Sequence, residues 1–218
     1  MTRTPRHAVE PSAEAIADYI RGNLRLAPAP GVAEIRLFQA HPGSGLARFV
    51  GRTGRSPYWA FGWAGGTVLA RYILDRPELV GGRQVADLGT GSGLVAIAAA
   101  RAGAGEVTAI DHDPVAVAAA GINALENAAT ITVRRGDALA GPPPEVDVVT
   151  VGDLFYDPAL AVRTLAFLEA CAAAGRTVLI GDPGRRHLPR DRLQVVFEAA
   201  VPDFDGRGTG PAAVYALR

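Results

Sequence analysis

The sequence predicts an α/β protein built on a mostly parallel, twisted sheet with helices on both faces and an antiparallel hairpin at its C-terminal end. Three observations carry that expectation. From Gln84 onward, short apolar runs alternate with helix-length, alanine-rich runs in the manner of βαβ units. The first run, Val85-Ala86-Asp87-Leu88, opens directly into Gly89-Thr90-Gly91-Ser92-Gly93 and a helical stretch, which is strand, tight loop, helix. An aspartate stands at or just past the end of each of five successive runs: Asp87, Asp111, Asp137, Asp153 and Asp182. Ligands of open parallel sheets bind at that carboxyl edge, where the strand order reverses. A single such aspartate is commonly a turn or cap residue; five on one edge point to a site.

The elements follow in order. Ser12 is placed to cap a helix carrying Ile16, Ile20 and Leu24 on one face, ended by the stretch from Pro28 to Gly31. Glu34-Ile35-Arg36-Leu37-Phe38 alternates as a short strand, and a loop bearing Gly, Pro and Arg runs on to Ser56. Residues 1–56 therefore read as a brace or lid, and 57–218 as the main domain. That domain opens on Pro57-Tyr58-Trp59-Ala60-Phe61-Gly62-Trp63-Ala64-Gly65-Gly66, dense in aromatics for a chain with 6% of them. The block is either a hydrophobic plug or a pocket wall, since aromatic faces suit ring stacking and cation recognition. Beyond 84–88 and its helix at 92–102, strands are expected at 106–110, 131–134, 146–151 and 177–180, with a helix over 114–127. Runs at 195–201 and 212–217 form the terminal hairpin across Asp205-Gly206, the first of them also readable as helix.

Composition narrows the classes. At 218 residues the chain holds one α/β domain with an extension, and 49% hydrophobic residues suffice for a large core. A formal net charge of zero supplies no pull toward nucleic acid. Residues 1–10 lack the apolar stretch of a signal peptide or membrane span, so a cytoplasmic protein without a nucleic-acid or membrane partner is expected. Cys171, the single cysteine, excludes an internal disulfide and reads as a buried thiol. His7, His41, His112 and His187 are scattered, so no metal site is expected. Neither a Gly-x-Ser-x-Gly elbow nor a Walker loop occurs, which removes hydrolase and kinase readings. All 22 basic residues are arginine. A GC-rich coding bias explains this together with the abundant Ala, Gly and Pro; a lysine-modifying enzyme free of targets on itself is the other reading.

Glycine is required where backbone turns with positive φ or lies against a ligand, and the helix behind the loop offers free amides and partial positive charge. A dinucleotide fingerprint has the spacing Gly-x-Gly-x-x-Gly, whereas here the third glycine is Gly93 and position 94 is Leu. Asp111, 18 residues on, suits the two hydroxyls of a ribose in either kind of nucleotide.

The Asp-x-Gly-x-Gly-x-Gly form of Asp87, Gly89, Gly91 and Gly93 resembles motif I of the class I S-adenosylmethionine-dependent methyltransferases. The resemblance implies the Rossmann-like fold of that class, S-adenosyl-L-methionine as cofactor and S-adenosyl-L-homocysteine as product. It implies the glycine loop against the methionine part, Asp111 on the ribose, Asp137 accepting from the adenine amino group and the Ala138 amide on the ring. Gly152-Asp153-Leu154-Phe155-Tyr156-Asp157 contains the Asp-x-x-Tyr pattern of the seven-β-strand protein lysine methyltransferases. With the aromatic block and Gly181-Asp182-Pro183-Gly184-Arg185, the chain from about Glu34 onward resembles the electron-transfer flavoprotein β-subunit lysine methyltransferases. Ala64 departs from the proline of some members.

Lysine is protonated at neutral pH, with an ordinary pKa of about 10.4, and its nitrogen attacks only when neutral. The resemblance therefore implies Asp153 and Tyr156 as catalytic residues, Asp153 holding the ammonium and Tyr156 completing the slot. Trp63 falls on the cofactor wall, and Trp59, Phe155, Asp182 and Arg185 on the substrate side. The expected partner is the flavoprotein β subunit. The alternatives are methylation of another amine, in a ribosomal protein or a small molecule, and a catalytically silent cofactor-binding module.

Overall fold

The computed structural model describes residues 11–54, 56–202 and 208–218. Its chain begins with α1 (Ala13–Asn23), β1 (Arg25–Ala29), β2 (Val32–Gln39) and α2 (Leu46–Thr53), then a 3₁₀ turn at Tyr58–Ala60 and α3 (Ala64–Asp75). There follow β3 (Gln84–Leu88), α4 (Leu94–Arg101), β4 (Glu106–Asp111), α5 (Pro114–Glu126), β5 (Thr132–Arg135), β6 (Val148–Gly152), α6 (Pro158–Ala173), β7 (Thr177–Asp182), β8 (Leu193–Pro202) and β9 (Thr209–Leu217).

Seven strands form one sheet in the order β5-β4-β3-β6-β7-β9-β8. The first five are parallel; β9 runs antiparallel to β7, and β8 antiparallel to β9. Successive residues of the central strands feed opposite cores, as a strand's alternation demands. Val85, Val148 and Leu179 face the core that includes Val68, Leu69 and Ile97 of α3 and α4, while Ala86, Val149 and Val178 face Phe167 and Leu168 of α6. Both faces being covered, these strands read as near-continuous apolar runs. The order reverses between β3 and β6, and the carboxyl ends there open into a large cleft.

The expected strands and the terminal hairpin are present, and the run at 195–201 is strand, not helix. Its predicted turn, Asp205-Gly206, lies outside the described residues, as does the segment 1–10. The N-terminal stretch differs more. Ser12 caps α1 as expected, accepting from the Ala15 amide at 3.2 Å, but the helix stops at Asn23 and Leu24 is already extended. Pro28 to Gly31 does not end that helix; it turns the β1–β2 hairpin, with Gly31 at φ 76° and a register shift at Pro28/Ala29, because Pro28 has no N–H for the ladder. The expected loop toward Ser56 contains α2, whose Phe49 packs with Ile16, Ile20 and Trp59 against Val115, Ala119 and Ile122 of α5. Two asparagines, Asn123 within α5 and Asn127 at its C-terminal cap, fasten this extension. Asn123 Oδ1 accepts from the Phe38 amide (2.9 Å) while its Nδ2 donates to Ser92 O (2.8 Å), and Asn127 both accepts from the Arg36 amide and donates to its carbonyl.

Among the described residues no helix is long and apolar enough to cross a membrane, and no group of three or more His, Cys, Asp or Glu side chains is arranged to hold a metal ion. Cys171 is buried, which raises its thiol pKa.

Candidate functional site

The cleft measures about 700 Å³ and is floored by the glycine loop between β3 and α4. Gly89, Gly91 and Gly93 all have positive φ, the conformation that only glycine adopts without strain. At two of them the loop also needs smallness: a Cβ on Gly93 would stand 3.0 Å from Ala120 Cα and one on Gly89 2.8 Å from the Leu154 side chain, whereas one on Gly91 would make only ordinary contacts, 3.9 Å from Trp59 Cα. Gly93 supports the loop from α5 and is not itself on the cleft wall.

Two aspartates set the loop's shape. Asp87 is fully buried; the Thr90 and Thr150 hydroxyls donate to it at 2.6 and 2.8 Å. Burial outweighs those bonds and pushes its pKa up to about 6, with the nearby Asp111 charge acting in the same direction. Asp111, at the end of β4, accepts the Gly91 amide at 3.0 Å and the Asp113 amide at 2.9 Å, so one side chain joins the glycine loop to the start of α5. Asp137 and Ala138 line the same cleft beyond β5. Arg163 of α6 donates to Asp137 at 2.6 Å, and that bond, with the Leu139 amide, holds the carboxyl below its ordinary range.

The opposite wall is built where α3 meets β6 and β7. Gly65 and Gly66 touch Gly152 and Gly181 backbone to backbone: a Cβ on Gly65 would fall 2.2 Å from Gly181 O, and one on Gly181 2.1 Å from Gly65 O. This close approach brings the α3 N-terminus onto Asp153, whose Oδ2 accepts the Gly66 amide at 2.8 Å. Asp153 has φ 60°, left-handed backbone that aspartate tolerates better than most residues. Its Oδ1 receives Arg185 Nη2 at 2.6 Å, and the same guanidinium lies 5.7 Å above the Trp63 ring. Burial pushes the Asp153 carboxyl up in pKa against the pull of Arg185 and the α3 amides. Asp153 thus caps α3 and pairs with an internal cation while lining the cleft.

The aromatic block divides. Trp59 is the plug, almost fully buried with its ring 6.4 Å from Phe49, although it also borders the cleft. Tyr58, Phe61 and Trp63 are wall, joined by Tyr156: Tyr58 packs edge-on to Trp63 at 5.7 Å and tilted to Tyr156 at 5.8 Å, and Trp63 Nε1 donates to Tyr58 O at 2.7 Å. Tyr156 is half-exposed at the mouth.

Two expected substrate-side residues stand elsewhere. Phe155 is not on the cleft wall; it is wholly buried with Leu168 and Ile180, because the turn at Asp153 sends it into the α6 core and Tyr156 outward. Asp182 is also wholly buried, accepting the Gly184 and Arg185 amides at 2.7 Å and so shaping the loop that carries Arg185. Gly66, Tyr58 and Arg163 line the cleft without having been singled out as ligand residues. The Gly-Gly pair in the first turn of α3 and the aromatic density signalled the first two; nothing local marks Arg163, which is one arginine on a helix.

The reversal of strand order at a glycine loop, with an antiparallel final pair, defines the class I, Rossmann-like methyltransferase fold. Magnesium protoporphyrin IX methyltransferase from Synechocystis PCC 6803, solved with bound S-adenosylhomocysteine, superposes with a TM-score of 0.52 at 16% identity, over 70% of this chain and 82% of that one. Within the class, the chain is a relative of the electron transfer flavoprotein β subunit lysine methyltransferases. It is 45% identical to that of Danio rerio over 153 residues, 67% of this chain and 59% of the relative, and 38% identical to that of Rattus norvegicus over 168 residues, 73% and 66% respectively. The chain therefore spans about six-tenths of the length of these relatives. The family profile of ribosomal protein L11 methyltransferase matches residues 59–151.

Proposed function

We propose that the chain is an S-adenosyl-L-methionine-dependent protein-lysine N-methyltransferase acting on the electron-transfer flavoprotein β subunit. The observation that carries the chemistry is one cleft holding both halves of the requirement: a glycine floor with strand-end acids on one side, and on the other a carboxylate already bound to a cation beneath aromatic rings. The names of the relatives supply the substrate.

The cofactor fits the residues present. Gly91 leaves room above the loop that any side chain would fill, and Asp111, which steadies that loop and lines the cleft, would take the ribose hydroxyls. Bound there, the cofactor supplies an electrophilic methyl on a sulfonium, so the protein needs no activation of the methyl itself. Asp137 and the Ala138 amide, which line the same cleft, would hold the base, and Trp63 on the opposite wall would lie between cofactor and substrate. The substrate enters past Tyr58 and Tyr156, whose rings attract an ammonium and displace its water. Desolvation favours the neutral amine; Asp153 draws the incoming ammonium, and the lysine nitrogen, once its proton is lost to solvent, would form the new N–C bond as the methyl–sulfur bond breaks, its electron pair staying on sulfur and S-adenosyl-L-homocysteine leaving.

The test is mass spectrometry of the flavoprotein β subunit after incubation with enzyme and cofactor, expected to show whole methyl additions on lysine. An unmodified flavoprotein would sink the assignment. The match to the ribosomal L11 methyltransferase profile favours one second reading, methylation of a ribosomal protein, and L11 run in parallel distinguishes the two.

A further inference from the structure

The loop after β7 contains two buried polar groups that face each other and remain unpaired. Asp182 Oδ2 and Arg185 Nε lie 3.9 Å apart, each buried and without a hydrogen-bond partner. Meanwhile the same guanidinium donates through Nη2 to Asp153 Oδ1 at 2.6 Å and lies over Trp63. A guanidinium has five donors in a fixed fork and satisfies a carboxylate best through two of them at once. Here two carboxylates share one guanidinium, and it completes its bond to only one.

We propose that Arg185 is a resident stand-in for the substrate cation: it occupies the cation subsite between Asp153 and the Trp63 ring, and yields it by closing onto Asp182 when an alkylammonium arrives. The inference rests on the amine-methylating reading of the cleft and adds how that cleft selects. The arriving ammonium is the second positive charge that the two carboxylates lack. Arg185 Nε needs to close only the short gap to Asp182 Oδ2 for the buried loop to gain the bond it now misses. A neutral hydroxyl or amide brings no charge to Asp153 and cannot displace the guanidinium, so the subsite rejects uncharged look-alikes. Until the substrate enters, Asp153 is never left as a bare buried anion, which is costly.

The test follows binding of n-butylammonium, a lysine side-chain mimic, by fluorescence of the only two tryptophans, Trp59 and Trp63. Arg185→Ala and Arg185→Gln remove the internal competitor. Both are expected to half-saturate at about ten- to hundredfold lower butylammonium than the unmutated protein, since a competing conformer weakens apparent affinity by its own population. Neutral n-butanol should give no response in any of the three. Equal or weaker binding by the variants, or none at all, overturns the proposal and makes Arg185 a fixed brace of Asp153. Should the alanine variant unfold, the glutamine variant decides. Asp182→Asn provides the opposite arm: it removes the charge onto which Arg185 closes and should weaken butylammonium binding, and unchanged binding would contradict the exchange. None of these measurements requires methyl transfer. A flavoprotein left unmethylated therefore leaves the exchange standing, and a failed exchange leaves the methyltransferase reading intact.

Discussion

Asp87 is a buried acid whose chemistry departs far from its solution behaviour. Its ordinary carboxyl value is 3.8, and burial raises it to about 6 in the folded chain. The folded state then binds the proton more tightly than the unfolded state, so the stability linked to Asp87 is fully present below about pH 4 and is lost as pH rises through 6, by about 3 kcal/mol. Asp87→Asn does not titrate. Urea melts of the two proteins at pH 4 and pH 7 should show the variant gaining on the unmutated chain by about that amount; parallel pH profiles would contradict it. Asp153→Asn probes the other end of the cleft. An asparagine oxygen still accepts from Gly66, but the charge facing the substrate is gone, so methyl transfer should fall about a hundredfold or more with cofactor affinity retained, checked by single-turnover kinetics beside calorimetry. The strand-end position of both acids was legible in the sequence, because an aspartate at the end of an apolar run and within two residues of a glycine is a local signal. Their partners were not. Gly66 is 87 residues from Asp153 and Thr150 is 63 from Asp87, and no periodicity reports a contact at that separation.

Among the elements, the contact of α3 with β6 and β7 is the least forgiving. Four glycines let two backbones meet, and a single methyl at Gly181 would overlap the Gly65 carbonyl. Gly181→Ala is expected to destabilise the fold by about 3 kcal/mol and to displace the helix end that Asp153 caps. Gly121→Ala is its control. That residue lies inside α5 with open space around its Cα, so the same methyl should stabilise by about 0.5 to 1 kcal/mol, and thermal melts of both variants check the contrast. The central strands were readable since each is a short apolar run bounded by turn residues. The hairpin of β1 and β2 was half read: β1 is Arg25-Leu26-Ala27-Pro28-Ala29, and a proline inside so short a run hides a strand. Helix α2 was missed although Leu46, Phe49 and Val50 have helical spacing, because it is only eight residues long and lies between Gly45 and Gly54 in a stretch whose Gly and Pro read as loop.

Across the whole molecule, the extension and the glycine loop are tied through one side chain. Asn123 holds the Phe38 amide of β2 with its oxygen and the Ser92 carbonyl of the loop with its nitrogen. Neither bond can lengthen without changing the position of the amide plane that makes the other. Thermodynamic reciprocity then applies: whatever steadies the loop must steady β2, and a partner that grips the extension must change the affinity of the loop for its ligand by the same factor. In hydrogen-exchange experiments, S-adenosyl-L-homocysteine is expected to slow exchange at the Phe38 amide, although that amide belongs to the extension and not to the cleft. Asn123→Ala should abolish the slowing while the loop still binds, and an effect that survived the substitution would mean the two ends communicate by another route. The protein's affinity for its small ligand thereby becomes a gauge of whether its extension is in place.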